Sequence, residues 1–300
     1  MPTKIEWAHE TFNPWWGCVE ISPACDACYA RTWAERWGHQ VWGKDAPRRF
    51  FGDKHWAEPL RWQRRASRTG ETIRVFCGSQ CDIFEYRPDL LPHRLRLFQL
   101  IEQTPDLTWM LLTKRPQKMR VLAPDRWRER WPKNVWAMTT VESQKFTWRI
   151  DALARVPAVV RGISAEPLLG PLDLKHWLWP ECSRCLDSLD GICKQCAAHG
   201  RCVEESKISW IIGGGESGFK ARPMHPNWAR SLRDQCASAE IPFLFKQWGE
   251  WGLDKSRDID SRRLMHRLGK KKSGRLLDGR EHNEFPKTKS QEAACRLTGT

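Results

Sequence analysis

Short apolar runs alternate with helix-like stretches through the middle of the chain. The apolar runs predict six strands, at 73–77, 108–112, 135–141, 158–164, 208–213 and 242–246, and a seventh, weaker strand is predicted before Cys18. Stretches with helical spacing lie at 26–37, 88–103, 116–131, 144–155 and 226–239. Strands that alternate with helices form parallel sheets joined by right-handed crossovers. The pattern therefore predicts an α/β fold, a partial or full (β/α) barrel of about six to seven parallel strands, with an open doubly wound sheet as the alternative.

Two segments depart from this alternation. Residues 178–206 are rich in cysteine and lack a strand or helix pattern, so we interpret them as a Cys-rich, metal-binding insertion. From 251 to 300 the chain is polar and basic, and it includes the run KKKSGR at 270–275. The predicted organisation is a barrel domain over 1–250, interrupted by the insertion, followed by a basic C-terminal extension over 251–300.

Polar or glycine-containing segments directly follow the six predicted strands. These segments are 78–82 (GSQCD), 113–115 (TKR), 142–143 (ES), 165–167 (AEP), 213–218 (GGGESG) and 246–249 (KQWG). In parallel α/β folds, active sites lie where the carboxyl ends of the strands meet. Ordinary loop polarity explains any one segment but explains all six less well. We therefore predict a site for an extended cofactor and a substrate, with Asp82, Glu166 and Lys246 as candidate catalytic residues.

The composition favours a soluble protein with a polyanionic partner. The 300 residues include 50 Lys and Arg against 36 Asp and Glu, a net charge of +14. Positive charge favours nucleic acid because neutralised phosphates release counterions, and the 19 tryptophans can stack on bases; a basic surface that only maintains solubility is the alternative. No apolar run reaches about 18 residues, the length of a membrane span, and the start, MPTKIEWAHE, has no apolar signal segment. We expect a cytoplasmic protein that does not enter a membrane.

Three closely spaced cysteines, Cys18, Cys25 and Cys28, form the motif Cys-x6-Cys-x2-Cys. In a reducing compartment, clustered cysteines bind metal more often than they form disulfides. Structural zinc requires four ligands. Three thiolates leave one iron of a [4Fe–4S] cluster free, and S-adenosylmethionine (SAM) can chelate it through its amino and carboxylate groups. Thiolates suit both metals, and His9 as a fourth ligand would complete a zinc site, so zinc is the alternative.

A second cysteine group lies in the insertion. It consists of two Cys-x2-Cys pairs separated by seven residues: Cys182, Cys185, Cys193 and Cys196. Four ligands close a tetrahedral site, so structural zinc is the first interpretation. Cys202 or His199 could replace one of the four ligands, and an auxiliary iron–sulfur cluster is the competing interpretation.

The segment Cys-Asp-Ala-Cys-Tyr-Ala at 25–30 resembles the CxxCY end of radical-SAM cluster loops, although the first gap here has six residues where that superfamily usually has three. The chain as a whole resembles a phage-associated, three-cysteine family of radical-SAM-like proteins. Besides the cysteines, the matching segments are IEW (5–7), NP (13–14), DIF (82–84), LTKRP (112–116), EPLLGP (166–171), GGGESG (213–218), RPMHP (222–226), FKQWG (245–249) and GRLLDG (274–279). They extend over nearly the whole chain apart from the insertion.

This resemblance implies a [4Fe–4S] cluster, SAM, a reductant protein and, if the gene is carried by a phage, the host cytoplasm as the location. By position, the loop from Ser79 to Asp82 would contact the SAM amino group, and Glu142 and Ser143 its ribose or carboxylate. Residues 162–167 and 213–218 would flank adenine, and Lys246 would serve the substrate or the SAM carboxylate. The implied cofactor-binding residues are Ser79, Asp82, Glu142, Ser143, Glu166, Gly213, Gly214, Gly215 and Glu216.

Three classes of function follow from these features. The first is a radical-SAM enzyme that reductively cleaves SAM and starts radical chemistry on a nucleic acid or nucleotide-like substrate. The second is a non-catalytic, zinc-dependent nucleic-acid-binding protein. The third is a hydrolytic nuclease with a divalent metal on Asp82, Glu142 and Glu166, which leaves the three-cysteine motif unexplained.

Overall fold

Seven parallel strands form the central sheet. The computed structural model describes residues 3, 5–179, 206–253 and 264–286. The strands are β1 (Glu10–Phe12), β2 (Trp15–Trp16), β3 (Arg49–Phe50), β4 (Ile73–Cys77), β5 (Leu107–Thr113), β6 (Val135–Thr140), β7 (Val160–Ala165), β8 (Trp210–Gly214), β9 (Phe243–Gln247), β10 (Trp251–Gly252) and β11 (His266–Arg267). The central sheet has the order β1-β4-β5-β6-β7-β8-β9 with parallel neighbours. Within the described residues β1 and β9 do not pair, so the predicted α/β partial barrel of six to seven strands is confirmed as a half-barrel.

The α-helices are α1 (Tyr29–Arg36), α2 (Asp53–Trp56), α3 (Glu58–Thr69), α4 (Leu91–Glu102), α5 (Met119–Leu122), α6 (Trp148–Ala154), α7 (Lys175–Leu178), α8 (Pro226–Ser238) and α9 (Lys270–Ser273). Helices α2 to α8 pack on the outer face of the sheet, while α1 and α9 contribute residues to the cavity described below. Short 3-10 helices occupy Pro23–Cys25, Pro88–Leu90, Pro116–Lys118, Asp125–Trp127 and Gln144–Phe146. The helix predicted over 116–131 is split into short pieces, because Pro124 holds Ala123 in an extended conformation.

One long helix, α3, lies outside the predicted set. Most of its residues are charged or polar, and only a few apolar side chains, Leu60, Trp62 and Ala66, face the core. The helix ends at Gly70, which has a left-handed φ of +71°. Because the helical pattern of α3 is weak in the sequence, we infer that packing against the sheet stabilises this helix.

Side chains alternate between the two faces of the sheet. Outer-face residues such as Trp109, Leu111 and Phe245 pack against the helices. A separate apolar cluster covers the amino-terminal half of the inner face, and we call it the floor: Trp7, Ala8, Phe76, Met110, Trp136, Met138, Val160, Trp210, Ile212 and Leu244. Further along the same strands the inner face becomes polar.

Residues 264–286, from the predicted basic extension, pack against β9 and the floor. Phe245 N donates to His282 O (3.0 Å), and Trp210 Nε1 donates to Glu284 O (2.9 Å). The Phe285 ring lies 5.1 Å from that of Trp210. None of the described helices is long and apolar enough to cross a membrane. The second cysteine group, Cys182, Cys185, Cys193 and Cys196, lies outside the described residues.

Candidate active site

A cavity of about 380 Å³ opens at the carboxyl ends of the strands. Its walls include residues 5–7, the loop that carries the three cysteines, and five segments at the carboxyl ends of the strands. We call these five segments the rim: 78–82, 113–115, 166–167, 215–217 and 246–247. The predicted site residues that line the cavity are Cys18, Cys25, Cys28, Ser79, Asp82, Glu166, Gly215, Glu216 and Lys246. The others lie outside its lining: Glu142, Ser143, Gly213 and Gly214.

The three thiols of the cysteine motif share this cavity. Cys25 is buried, and Cys18 and Cys28 are half-buried. Cys81, which is not part of the motif, also lines the cavity. Across the described ranges, no group of three or more His, Cys, Asp or Glu side chains is arranged around a common metal position. The thiols thus share one cavity without converging on a point in this conformation.

His9, the alternative zinc ligand, lies just before β1, at the amino-terminal end of that strand. The cysteines line the cavity at the carboxyl ends of the strands. Its Nδ1 accepts a hydrogen bond from Arg74 N at 2.9 Å. The structure therefore does not bring His9 to the cysteine motif.

Hydrogen bonds join the cysteine loop to the segment after β4. The loop begins at Gly17, which has φ +113° and at which a Cβ would lie 2.3 Å from a backbone oxygen, so only glycine fits. Gly17 N donates to Gln80 O (3.0 Å), and Tyr29 OH at the start of α1 donates to Ser79 O (3.0 Å). Asn13 Nδ2 donates to Ser79 Oγ (2.9 Å), while its Oδ1 accepts from Gln80 N (2.7 Å). These contacts hold the cysteines against the rim.

Asp82 and Arg115 hold the first part of the cysteine loop. The Asp82 carboxylate accepts from Thr113 Oγ1 (2.6 Å) and Arg115 Nη1 (2.7 Å). Arg115 also donates to Val19 O (2.9 Å), and its Nη1 lies 3.9 Å from Cys18 Sγ. Burial and the nearby Asp82 charge raise the pKa of Cys18 to about 12, while Arg115 acts to lower it. This geometry gives Asp82 a positioning role, and its catalytic role stays a prediction.

A second arginine, Arg222, holds the middle of the same loop. It donates to Glu216 through Nε (2.9 Å) and Nη2 (2.7 Å), a bidentate arrangement that fixes the guanidinium. Arg222 Nη2 also donates to Pro23 O (2.8 Å), and Nη1 donates to Asp26 Oδ2 (3.2 Å). Two arginines supported by rim carboxylates therefore hold the cysteine loop from different strand ends.

Glu166 and Lys246 form an ion pair that faces the cavity. Lys246 Nζ lies 2.7 Å from Glu166 Oε1 and 3.0 Å from Oε2, and the two side chains are 14% and 15% exposed. Beside them, Gln247 Nε2 donates to Ser217 Oγ (2.7 Å). The pair offers a cation and a carboxylate that a ligand with both charges can engage.

Glu142, by contrast, turns away from the cavity. It pairs with Arg149 at 2.8 Å, and both side chains are 1% exposed. Ser143 precedes the 3-10 helix Gln144–Phe146 and accepts a hydrogen bond from Phe146 N through its carbonyl oxygen (2.9 Å). Because Asp82, Glu142 and Glu166 each pair with a different cation, they do not form the shared metal site that a nuclease would need.

The glycines at the carboxyl end of β8 and directly after it allow close packing. A Cβ at Gly213 would press on Phe243 (3.2 Å), and a Cβ at Gly214 would contact the Glu166 carboxyl group (3.6 Å). A Cβ at Gly215 would lie 2.0 Å from Trp248 O, so this glycine lets the segments after β8 and β9 cross.

Four unpartnered buried polar atoms lie in the cavity lining. Within the part of the chain that the structure describes, these are Glu6 Oε2, Trp7 Nε1, Gln80 Oε1 and Gln247 Oε1. Burying a polar atom without a partner costs about 1–3 kcal/mol, so these atoms are available to a polar ligand or to water in the cavity. Sequence reasoning gave no role to Glu6, Asn13, Arg222 or Gln247, although each lies in a segment that carries the family resemblance.

Comparison with known proteins places the chain in a family. Among solved structures, a mutant of spore photoproduct lyase is similar with a TM-score of 0.45 and 12% identity, covering 80% of this chain and 75% of that chain. No curated protein matches the chain. A family model described as "Protein of unknown function (DUF5131)" matches residues 2–286. Because this match extends over most of the chain, the protein belongs to the DUF5131 family.

Proposed function

We propose that this protein is a radical-SAM-type enzyme that binds a [4Fe–4S] cluster through Cys18, Cys25 and Cys28. The observation that carries the proposal is that these three thiols share one rim cavity with four unpartnered buried polar atoms. This arrangement supports a metal centre and a polar organic ligand that would bind side by side in the same cavity.

The donor set fits the proposed cluster. Soft thiolates suit iron–sulfur clusters, and the motif offers three, which leaves one coordination position for SAM. The thiols need to turn toward a common point, because they do not converge in the described conformation. When bound, the cluster and SAM supply the one-electron reductive cleavage of the sulfonium that starts radical chemistry.

The residues of the chain itself would bind and orient SAM and exclude water from the cavity. The Glu166–Lys246 pair can engage the SAM amino and carboxylate groups, since it presents both charges to the cavity. The unpartnered Glu6 and Gln247 oxygens can accept from amino or hydroxyl donors of the ligand. Arg115 and Arg222 keep the cysteine loop in register with the rim. The predicted cofactor contacts of Ser79, Gly215 and Glu216 belong to this proposal as well.

We further propose a nucleic acid or nucleotide-like substrate, a reductant protein as electron donor and zinc or an auxiliary cluster at the second cysteine group. A reducing cytoplasm suits clustered cysteines that bind metal rather than form disulfides.

The test is anaerobic purification followed by iron, sulfide and zinc analysis and by reduction in the presence of SAM. We expect about four iron atoms per chain and formation of 5′-deoxyadenosine and methionine. Cys25→Ala should lose this iron and the cleavage. Cys236→Ala is the matched control, because Cys236 is fully buried on α8, away from the cavity, and this variant should keep both.

Cys81→Ala separates the proposal from the zinc alternative. Because Cys81 is the fourth thiol of the cavity, a closed four-cysteine zinc site would need it. Zinc as the only metal, lowered by one atom per chain in both Cys25→Ala and Cys81→Ala, would overturn the radical-SAM proposal and favour a zinc-dependent binding protein.

A further inference from the structure

A second concavity of about 460 Å³ adjoins the cavity, and we call it the basic cleft. It shares Val19, Ile21, Lys114 and Arg115 with the cavity lining. Its remaining lining comes from the segment between α1 and β3, which contributes Lys44, and from the segments after β4, β5 and β6: Glu85, Tyr86, Arg87, Gln117, Lys118, Phe146, Trp148 and Arg149. A ligand in the cleft can therefore reach the rim cavity past Lys114.

Positive charge dominates the basic cleft. Each arginine of the lining is paired with a carboxylate: Arg87 with Asp89 at 2.8 Å, Arg115 with Asp82 at 2.7 Å and Arg149 with Glu142 at 2.8 Å. In the described part of the chain, the three lysines of the cleft, Lys44, Lys114 and Lys118, have no ion-pair partner. The carboxylate in the lining, Glu85, is 4% exposed and pairs with Arg48 at 2.6 Å. The cleft thus keeps three uncompensated ammonium groups for an anionic ligand.

Exposed aromatic rings stand between these cations. Tyr86 is 72% exposed and Trp148 is 46% exposed. Lys118 Nζ lies 5.4 Å from the centroid of the Tyr86 ring, so one free lysine and one exposed ring lie side by side. The cleft therefore combines exposed ring faces with free cations, which matches a chain of bases and phosphates.

We propose that the basic cleft binds a single-stranded nucleic acid and delivers one nucleotide to the rim cavity. This inference names the substrate class of the proposed enzyme. Delivery of a nucleotide for reaction rests on the proposed function, whereas binding of the strand in the cleft does not depend on it. Ring faces can stack only on unpaired bases, so the cleft selects single strands over duplex. The three free lysines meet successive phosphates, and Lys114 stands where the strand enters the cavity.

The test measures binding of a fluorescent mixed-sequence 12-mer by anisotropy, as single-stranded DNA, single-stranded RNA and duplex DNA, across a salt series. The triple variant Lys44→Gln/Lys114→Gln/Lys118→Gln should weaken single-strand binding at least about tenfold and reduce the log–log salt slope by about 2, since each phosphate contact contributes about 0.7. Trp148→Ala should weaken binding at least about fivefold through lost stacking.

Matched controls change charge and aromaticity elsewhere. Arg61→Gln/Arg64→Gln/Arg68→Gln removes the same charge from exposed positions of α3, and Phe219→Ala removes a ring that is 88% exposed outside both concavities. Each should change the dissociation constant less than about twofold. Equal weakening by the two charge triples, or tighter binding to duplex than to either single strand, would overturn the proposal.

The DNA and RNA arms identify which single strand is preferred. Cys25→Ala should lose iron yet bind the 12-mer as wild type does. If the cleft proposal is wrong, the protein that contains its iron does not bind the 12-mer. If the proposed enzyme function is wrong, the protein binds the 12-mer but does not cleave SAM.

Discussion

The floor and the rim of the half-barrel are built from the same strands and the same face of the sheet, yet their chemistry is opposite. On β8, Trp210 and Ile212 lie in the floor, and Glu216 follows in the rim. On β9, Leu244 precedes Lys246 in the same way. The floor is closed by Trp7 and Phe285, whereas the rim is left open as a cavity.

The difference separates stability from ligand binding. In the floor, Trp210 is fully buried, its ring lies 5.6 Å from that of Trp136, and its indole nitrogen is hydrogen-bonded. Around the cavity, the buried oxygens of Glu6 and of the rim residue Gln247 are unpartnered, and so is Trp7 Nε1, where the floor borders the cavity. The interior of the floor satisfies the polar atom of Trp210, while the cavity lining retains polar atoms that a ligand or water can satisfy.

The largest expected effect lies in the floor. Trp210→Ala should lower the free energy of unfolding by about 3–5 kcal/mol, because it removes a fully buried indole and leaves a cavity between three rings. Urea denaturation checks this value. Trp148→Ala, at a ring that is 46% exposed, is the control and should change stability by less than about 0.5 kcal/mol. Equal losses in the two variants would contradict the structural role of the floor.

An intermediate effect is expected at the rim ion pair. Lys246→Met should destabilise the protein by about 1 kcal/mol, because Glu166 then faces the cavity without its cation. Adding Glu166→Gln should restore part of that loss, and a double-mutant cycle in urea gives the coupling energy. The same single variant should weaken SAM binding at least about tenfold by calorimetry. A coupling energy near zero, together with unchanged SAM affinity, would show that the Glu166–Lys246 pair contributes neither to stability nor to SAM binding.

The smallest effect concerns an ion pair on the outer surface. Arg230 and Arg233 hydrogen-bond to Asp278 and hold its pKa at about 2, below its ordinary value of 3.8. Because the folded-state pKa is lowered, the stabilisation is present above about pH 4 and is lost as the pH falls toward 2. The group is 37% exposed, so solvent screening limits the contribution to about 0.5–1 kcal/mol.

Asp278→Asn should therefore lower the unfolding free energy slightly at pH 6 and should match the wild type near pH 2. Urea denaturation at both pH values measures this difference. A gap between the two proteins that stays constant with pH would mean that the side chain acts through packing rather than charge.

Apolar runs bounded by polar segments predicted the strands well. The run at 73–77 coincides with β4, and the others differ from the observed strands by one or two residues at an end. The polar segment after β7 led to Glu166, and the one at the carboxyl end of β9 to Lys246, because parallel strands bring their carboxyl ends together. The same rule placed Glu142 at this edge, but its side chain is buried against Arg149 instead.

The missed features have a common physical cause. α3 carries few apolar positions, so its helical pattern is weak, and it is stabilised by the sheet on which it packs. Glu6 lies far along the chain from Gln247, and nothing local indicates that they line one cavity. Arg222 meets the cysteine loop at Pro23 across 199 positions of sequence.

The sequence by itself determined the strands, their parallel arrangement and the edge at which a site lies, because alternation and crossover direction are local properties of the chain. It also determined that three cysteines lie close together. Only the tertiary structure decided which strand-end carboxylates face the cavity, which arginines hold the cysteine loop and which lysines remain free in the basic cleft. These contacts join residues that are far apart in the sequence and meet only when the curved sheet has formed. The spacing of residues along the chain therefore does not predict them.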